Sequence, residues 1–247
     1  MINLSVLRGA EFECVKQHFR PGVRVLEIGG GNGYQASLIA ALGANVASID
    51  VVEQATGSKT FYPVTVYDGR TIPFESGVFD VVYSSNVLEH VPHLDQLLAE
   101  FRRVMKPDAV AIHILPSPSW RMWTSLTHYV HIGMRLSGRR RPDTSDSRPS
   151  DAERLPRRRS NMLAIVKRIL WDGPHGEYPS AISELWYFSK ARWMGVFKAN
   201  GFRVTETTPS NIFYTGYGVL PGVSLGVRRV LARFVGSATR IYVSQTA

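Results

Sequence analysis

The chain has 247 residues, 44% of them hydrophobic, which suits one α/β domain with additions and is enough for a packed core. The single cysteine, Cys14, excludes an internal disulfide, and no Cys/His spacing reads as a zinc site, so a reducing, cytoplasmic setting without a metal is expected. A net charge of +9 admits nucleic acid, an anionic membrane or an anionic substrate as partner, but the excess sits late: residues 138–160 carry eight arginines against four acids, and after Glu206 there are four arginines and no acid.

The first residues, MINLSVLRGAEFECVKQHF, carry charges inside their apolar stretch and do not read as a signal peptide. No run of 18 apolar residues exists, so no transmembrane helix is expected. VRVLEI at 23–28 is a short apolar run before a glycine cluster and reads as a buried parallel strand. A helix at 34–42 follows, closed by Gly43. NVASID at 45–50, YPVTVY at 62–67 and FDVVYS at 79–84 read as further strands. Leu94, Leu97, Leu98, Phe101 and Met105 mark one helix face, and Lys106-Pro107 stops that helix. VAIHIL at 110–115 is a fifth strand. This alternation predicts an α/β fold with a doubly wound, mainly parallel Rossmann-like sheet over 1–115.

The alternation breaks after Pro116. Residues 116–188 read as an insertion that covers the substrate, with a helix at 120–136 and another near 161–170. Within it, 138–160 contain no aromatic residue and one large aliphatic, Leu155, and are expected to be mobile. Residues 189–247 return to the core: a helix at 190–199 ended by Asn200-Gly201, a strand at 202–207, then a C-terminal helical extension. In that extension, 223–241, a helix would gather Val227, Val230, Leu231, Phe234, Ala238 and Ile241, with Arg228, Arg229, Arg233 and Arg240 around it. Such a helix either packs on the core or lies in an anionic membrane interface; Trp120, Trp123 and the arginines favour peripheral membrane contact.

Glu27-Ile28-Gly29-Gly30-Gly31-Asn32-Gly33 follows the first strand. Glycines there let the backbone turn tightly and approach a ligand at the carboxyl end of the sheet. Gly31, Gly33 and Ala36 formally fit a dinucleotide fingerprint. Glu27 argues against it, because a carboxylate opposes a pyrophosphate at a helix N-terminus yet favours the ammonium and sulfonium of S-adenosylmethionine. Asp50, seventeen residues after Gly33, can accept both ribose hydroxyls of either ligand.

VLEIGGGNG, ASIDV, YDGRTIPFESGVFDVVYSSNVLEHV and the helix running to FRRVMKP together resemble the small-molecule class I S-adenosylmethionine-dependent methyltransferases, in particular the subgroup with ubiquinone and menaquinone C-methyltransferases. The resemblance covers roughly residues 20–115. It implies that Glu27, Gly29, Gly31 and Gly33 shape the methionine side of the pocket and that Asp50 holds the ribose. It places Asp68, with Gly69, by the adenine amino group, although an Asp-Gly pair is also a common turn. It sets Ser85 and Asn86 beside the transferring methyl. His90, in LEHV, reads either as a base or, by preference, as a helix-start histidine held by hydrogen bonds, since methyl transfer needs orientation more than a base.

DGPHGEYPSAISELWYF, 172–188, brings His175, Glu177, Glu184, Trp186 and Tyr187 into one loop and is similar, more weakly, to methyltransferases of polysaccharide clusters. His175 as base and Glu177 are expected to face the acceptor, with Trp186 and Tyr187 as walls. The acceptor class is a small molecule, sugar or glycolipid. A nucleic-acid methyltransferase is disfavoured, because Ser84-Ser85-Asn86-Val87-Leu88 stands where base-modifying relatives resemble one another in an Asn/Asp-Pro-Pro-aromatic motif. A nicotinamide oxidoreductase lacks a Tyr-x-x-x-Lys pair, and a membrane-surface module that binds a nucleoside without turnover is the non-enzymatic rival.

Overall fold

The computed structural model describes residues 4–52, 59–136, 175–178, 180–217 and 222–247. The Arg-rich segment 138–160 and the helix expected near 161–170 lie outside the described residues.

The chain opens with α1 (Leu4–Phe12) and enters β1 (Arg24–Ile28), whose side chains after Arg24 are all buried. Helix α2 (Tyr34–Ala41) starts behind Gly33, which takes φ 77°, and ends before Gly43, at φ 84°. Then come β2 (Asn45–Asp50), a two-residue β3 (Thr65–Val66) and β4 (Phe79–Ser85). Helix α3 (Leu94–Val104) buries Leu97, Leu98, Phe101 and Val104, as its apolar spacing requires. Strand β5 (Met105–Pro116) leads to α4 (Pro118–Leu136). The chain continues through α5 (Ala181–Tyr187), α6 (Lys190–Ala199), β6 (Phe202–Pro209), α7 (Leu225–Val235) and β7 (Thr239–Thr246).

The seven strands form one sheet in the order β3-β2-β1-β4-β5-β7-β6. β1 to β5 are mutually parallel, and β7 runs antiparallel between β5 and β6. Winding proceeds outward from β1 to β3, then crosses back to β4. That reversal between β1 and β4 is where an open α/β sheet places its ligand crevice. One apolar cluster joins both ends of the chain: Leu26 and Ile28 of β1 share it with Trp193 and Phe197 of α6, Phe202 of β6 and Tyr242 of β7.

Three expectations change. The strand expected at 62–67 is only Thr65–Val66. Met105 opens β5 instead of closing α3, and Lys106-Pro107 lies within that strand. The C-terminal extension is not one helix over 223–241. Gly236 takes φ 90° and ends α7, and β7 enters the sheet with Ile241, Tyr242, Val243 and Ser244 all buried. A strand covered on both faces shows no alternation, which is why the segment reads as helix. Ala238 and Ile241 are therefore core residues. Helix α7 instead buries Arg228, whose guanidinium donates to the carbonyls of Phe213 and Val223, and exposes Val227, Val230 and Phe234.

Glu11 on α1 is fully buried and ties the first helix to the last strand. Its carboxylate accepts from Arg8 Nη1 (2.7 Å), Tyr214 Oη (2.8 Å) and Thr239 Oγ1 (2.6 Å). Glu11→Ala would take this acceptor from the buried Tyr214 and Thr239 hydroxyls and the half-buried Arg8, so chemical denaturation should show a loss of about 3–5 kcal/mol. Glu13→Ala, which breaks only the exposed pair with Lys16, should stay within about 0.5 kcal/mol. Equal effects would show that Glu11 does not fasten the helix.

Candidate active site

The glycine loop leaves β1 directly over the switch point. Gly29 and Gly30 both donate to Ile49 O, at 2.8 and 3.1 Å, which lays the loop against the end of β2. Gly29, Gly31 and Gly33 have φ of 74°, 54° and 77°, the left-handed region in which a side chain is strained. At Gly33 a Cβ would overlap the Tyr62 backbone, and at Gly29 it would overlap Val87, so the loops after β1 and β4 touch. At Gly31 no atom of the described residues beyond its chain neighbours lies within 4 Å of where a Cβ would stand. That open space is bordered by an acid: Gly31 N–H donates to Asp50 Oδ2 at 2.8 Å, and Asp50 Oδ1 accepts from Val52 N–H at 3.2 Å. Asp50 is 3% exposed and stands where β2 ends.

Glu27 lies beneath the loop. Its carboxyl accepts from Ser48 Oγ at 2.5 Å and is 2% exposed. Burial raises its pKa to about 7, Asp50 adds to the rise, and the hydrogen bonds from Ser48 and the Ala36 backbone oppose it. Asp68 is exposed, and its Oδ1 accepts from the backbone N–H of Arg70 and Thr71, both at 2.8 Å, which makes it the pivot of a turn. Gly69, at φ 76°, brings that turn against Val51, beside the end of β2. Ser85 ends β4, and Asn86 follows at φ 55° with its N–H on Ile114 O. Asn86 Nδ2 donates to Ser85 Oγ at 3.2 Å. All nine residues expected to hold the cofactor thus border the exits of β1, β2, β3 and β4.

Across the β4 exit stands a second group. A 3-10 turn, Leu88–His90, carries Glu89 and His90. The 175–178 segment lies on it: Glu177 N–H donates to Glu89 O at 3.1 Å, and a Cβ at Gly176 would overlap that same oxygen. Glu184 of α5 fastens the segment, its Oε1 accepting from the N–H of His175 and of Gly176, both at 2.7 Å. Glu184 Oε2 lies 3.2 Å from Arg121 Nη1 of α4, both side chains buried. The His175 ring meets His90 edge-on at 4.8 Å and Trp120 at 4.6 Å. Desolvation lowers its pKa, helped by His90, Arg121 and Arg8, although the residue is exposed to solvent. The shift favours the neutral imidazole, which can accept a hydrogen bond.

His175 and His90 thus meet ring to ring, and Glu177 stands beside them through its backbone N–H on Glu89 O. Trp186 and Tyr187 do not wall this group: Trp186 is 61% exposed, and Tyr187 stacks on Tyr178 at 4.2 Å. Trp120 takes the wall position, and it is buried. Trp123 is half-buried and donates its indole N–H to Val235 O. Glu89, Arg121 and Arg8 were missed. Glu89 sits in the LEHV stretch, but nothing in sequence spacing pairs it with a histidine 86 positions later.

The raised Glu27 pKa makes a pH prediction. The folded chain keeps a proton that the unfolded chain releases above about 4.5, so this contribution to stability is full below 4.5 and is lost as pH rises to about 7. Glu27→Gln cannot ionise. Its stability relative to the native chain, read by urea denaturation across a pH series, should improve over that window. A difference constant between those values would show Glu27 already ionised in the fold.

A family model described as "Methyltransferase domain" matches residues 10–207. A ubiquinone/menaquinone biosynthesis C-methyltransferase, UbiE, of Cupriavidus metallidurans is 30% identical over 121 residues, 44% of this chain and 50% of that protein. The biotin biosynthesis bifunctional protein BioHC of Cellvibrio japonicus is 29% identical over 126 residues, 47% of this chain and 25% of that protein. The chain thus spans half or less of these relatives' length. Among solved structures, an S-adenosylmethionine-dependent methyltransferase from Aquifex aeolicus aligns with 96% of this chain and 89% of its own, at TM-score 0.52 and 14% identity, a likeness of fold. With the family model covering most of the chain and the glycine loop, Asp50 and the β1–β4 crevice in place, the chain belongs to the methyltransferase-domain family, on the fold of the class I S-adenosylmethionine-dependent enzymes.

Proposed function

We propose that this protein transfers the methyl group of S-adenosylmethionine to a small-molecule acceptor, of small-metabolite, sugar or glycolipid type. The observation that carries this reading is the carboxylate of Asp50, closed onto Gly31 N–H at the edge of the open space beside Gly31. An acid there suits the two ribose hydroxyls, while Glu27 under the loop disfavours a pyrophosphate. Glu27, Gly29, Gly31 and Gly33 shape the methionine side, Asp68 and Gly69 border the adenine, and Ser85 with Asn86 stands near the methyl. The acceptor enters from the other side of the β4 exit, where His90, His175 and Glu177 face it.

A bound S-adenosylmethionine supplies a sulfonium methyl already activated for transfer. The chain's own contribution is placement. The β1 loop and Asp50 fix the nucleoside, and the segment clamped by Glu184 fixes the acceptor, so that the nucleophile lies in line. The lowered His175 pKa suits a hydrogen-bond acceptor more than a proton store.

The setting proposed is cytoplasmic. Among the described residues no helix is long and apolar enough to cross a membrane. The apolar side chains that α7 exposes, Val227, Val230 and Phe234 with Arg229 and Arg233 among them, support peripheral contact with an anionic membrane as the reading of that face.

Calorimetry should show S-adenosylhomocysteine binding and no binding of NAD; tighter NAD binding would end the methyltransferase reading. Asp50→Ala should weaken S-adenosylhomocysteine by about 1.5–3 kcal/mol, and an unchanged affinity would place the ribose elsewhere. Labelled S-adenosylmethionine with a metabolite and glycolipid extract, read by mass spectrometry, identifies the product. With that acceptor, His175→Ala should cut turnover on the order of 10²-fold and leave S-adenosylhomocysteine affinity unchanged. Normal turnover would make His175 a loop residue only.

A further inference from the structure

Glu89, His90 and His175 each bring one ligand atom within 4.8 Å of the others, from segments far apart in the chain. The sequence leads one to expect no metal, because its search is for ligands at short, regular spacing. Glu89 is 1% exposed, and neither of its carboxylate oxygens has a hydrogen-bond partner among the described residues. Leaving a buried carboxylate so unsatisfied is costly unless something pairs with it.

The described guanidiniums near it pair with other carboxylates. Arg8 pairs with Glu11 at 2.7 Å, and Arg121 with Glu184 at 3.2 Å. Glu89 feels Arg8 as attraction and Glu11 and Glu184 as repulsion. Among the described residues, Arg8 and Arg121 each pair with another carboxylate, Glu11 and Glu184, and no ion pair with a guanidinium is seen at Glu89. Its nearest cationic candidate is His90, whose Nε2 is 3.8 Å from Glu89 Oε1, too long for a hydrogen bond.

We propose that Glu89, His90 and His175 hold a first-row divalent cation, zinc or a metal of similar affinity for imidazole, and that this cation receives the oxygen of the methyl acceptor. The second half rests on the methyltransferase reading above. Two imidazoles and one carboxylate favour zinc, iron, cobalt or nickel over magnesium or calcium. Bonds of about 2.0–2.2 Å would draw the donors to about 3–3.5 Å apart, a closure that rotation of the two imidazoles supplies. The outer support is in place: Glu184 holds the backbone of His175 and Gly176, and Glu177 N–H is fastened to Glu89 O. Three protein ligands leave positions open, as catalytic sites do.

The step balances without a further reactant. A hydroxyl bound to the cation is more acidic and gives its proton to water at the open edge. The oxygen attacks the methyl carbon, the carbon–sulfur bond breaks with its electron pair on sulfur, and the products are a methyl ether and the neutral thioether of S-adenosylhomocysteine.

The test uses the full chain, stripped with a chelator and titrated with Co²⁺ alone, followed by visible absorption and calorimetry, with Zn²⁺ as competitor. One equivalent should bind at micromolar concentration or tighter and be displaced by Zn²⁺. His90→Ala and His175→Ala should each weaken it about tenfold or more, while His18→Ala, remote from the cluster, should not. Both ligand variants should bind S-adenosylhomocysteine as the native chain does, which shows that they fold. No saturable Co²⁺ binding, or binding that survives both histidine variants, overturns the proposal and leaves Glu89 and His90 as an ordinary acid–imidazole pair. If S-adenosylhomocysteine binds and Co²⁺ does not, only the metal fails; if S-adenosylhomocysteine does not bind, the methyltransferase reading fails whatever the cobalt does.

Discussion

Parallel strands send every strand-to-helix turn to the same edge of the sheet, and a sheet wound outward in both directions must part its turns where the winding reverses. In this chain the reversal falls between β1 and β4. The glycine loop and the Ser85-Asn86 turn therefore open face to face, and the contact of Gly29 with Val87 keeps them at touching distance. Everything proposed for catalysis hangs on that parting. The side of β1 and β2 offers Asp50 and an open backbone, and the side beyond β4 offers His90 and His175.

The second half of the site is assembled by buried charge. The 175–178 segment packs its His175 and Tyr178 rings on Trp120, Tyr187 and Phe188, and its backbone needs a further anchor. Glu184 compensates by taking two backbone N–H groups into one carboxylate oxygen, and Arg121 offsets its charge. Such a pair is costly to bury and costly to break, which makes it a specific fastener rather than a source of stability. Glu11 does the same work between α1 and β7, and the two clusters meet around Glu89. The side proposed for the acceptor is thus an electrostatic construction on an apolar sheet, with the Glu89 carboxylate buried and without a hydrogen-bond partner among the described residues.

Much of the core was legible in the sequence. VRVLEI and FDVVYS are mostly apolar because both faces of a central parallel strand are covered, and α3 shows its buried stripe at helical spacing. Gly29, Gly31 and Gly33 were legible because positive φ leaves few alternatives to glycine. The C-terminal strand was not. Buried on both faces, β7 has no period of two, and the arginines before it suggest an amphipathic helix that in fact turns Arg228 inward. On the side proposed for the acceptor, His175 and Glu177 stand out in a loop, but Glu89 is an unremarkable acid until the fold sets it under them. Long-range pairing of polar groups leaves no mark in periodicity, whereas apolar burial does.

The central claim is geometric, that one crevice holds the nucleoside on Asp50 and points its sulfur across the β4 exit at His90 and His175. A crystal structure of the chain with S-adenosylhomocysteine measures this directly. The account predicts both ribose hydroxyls on the Asp50 carboxylate, the thioether beside Asn86, and its sulfur facing the His90–His175 pair. A nucleoside bound away from Asp50, or a sulfur directed away from those two imidazoles, would contradict it.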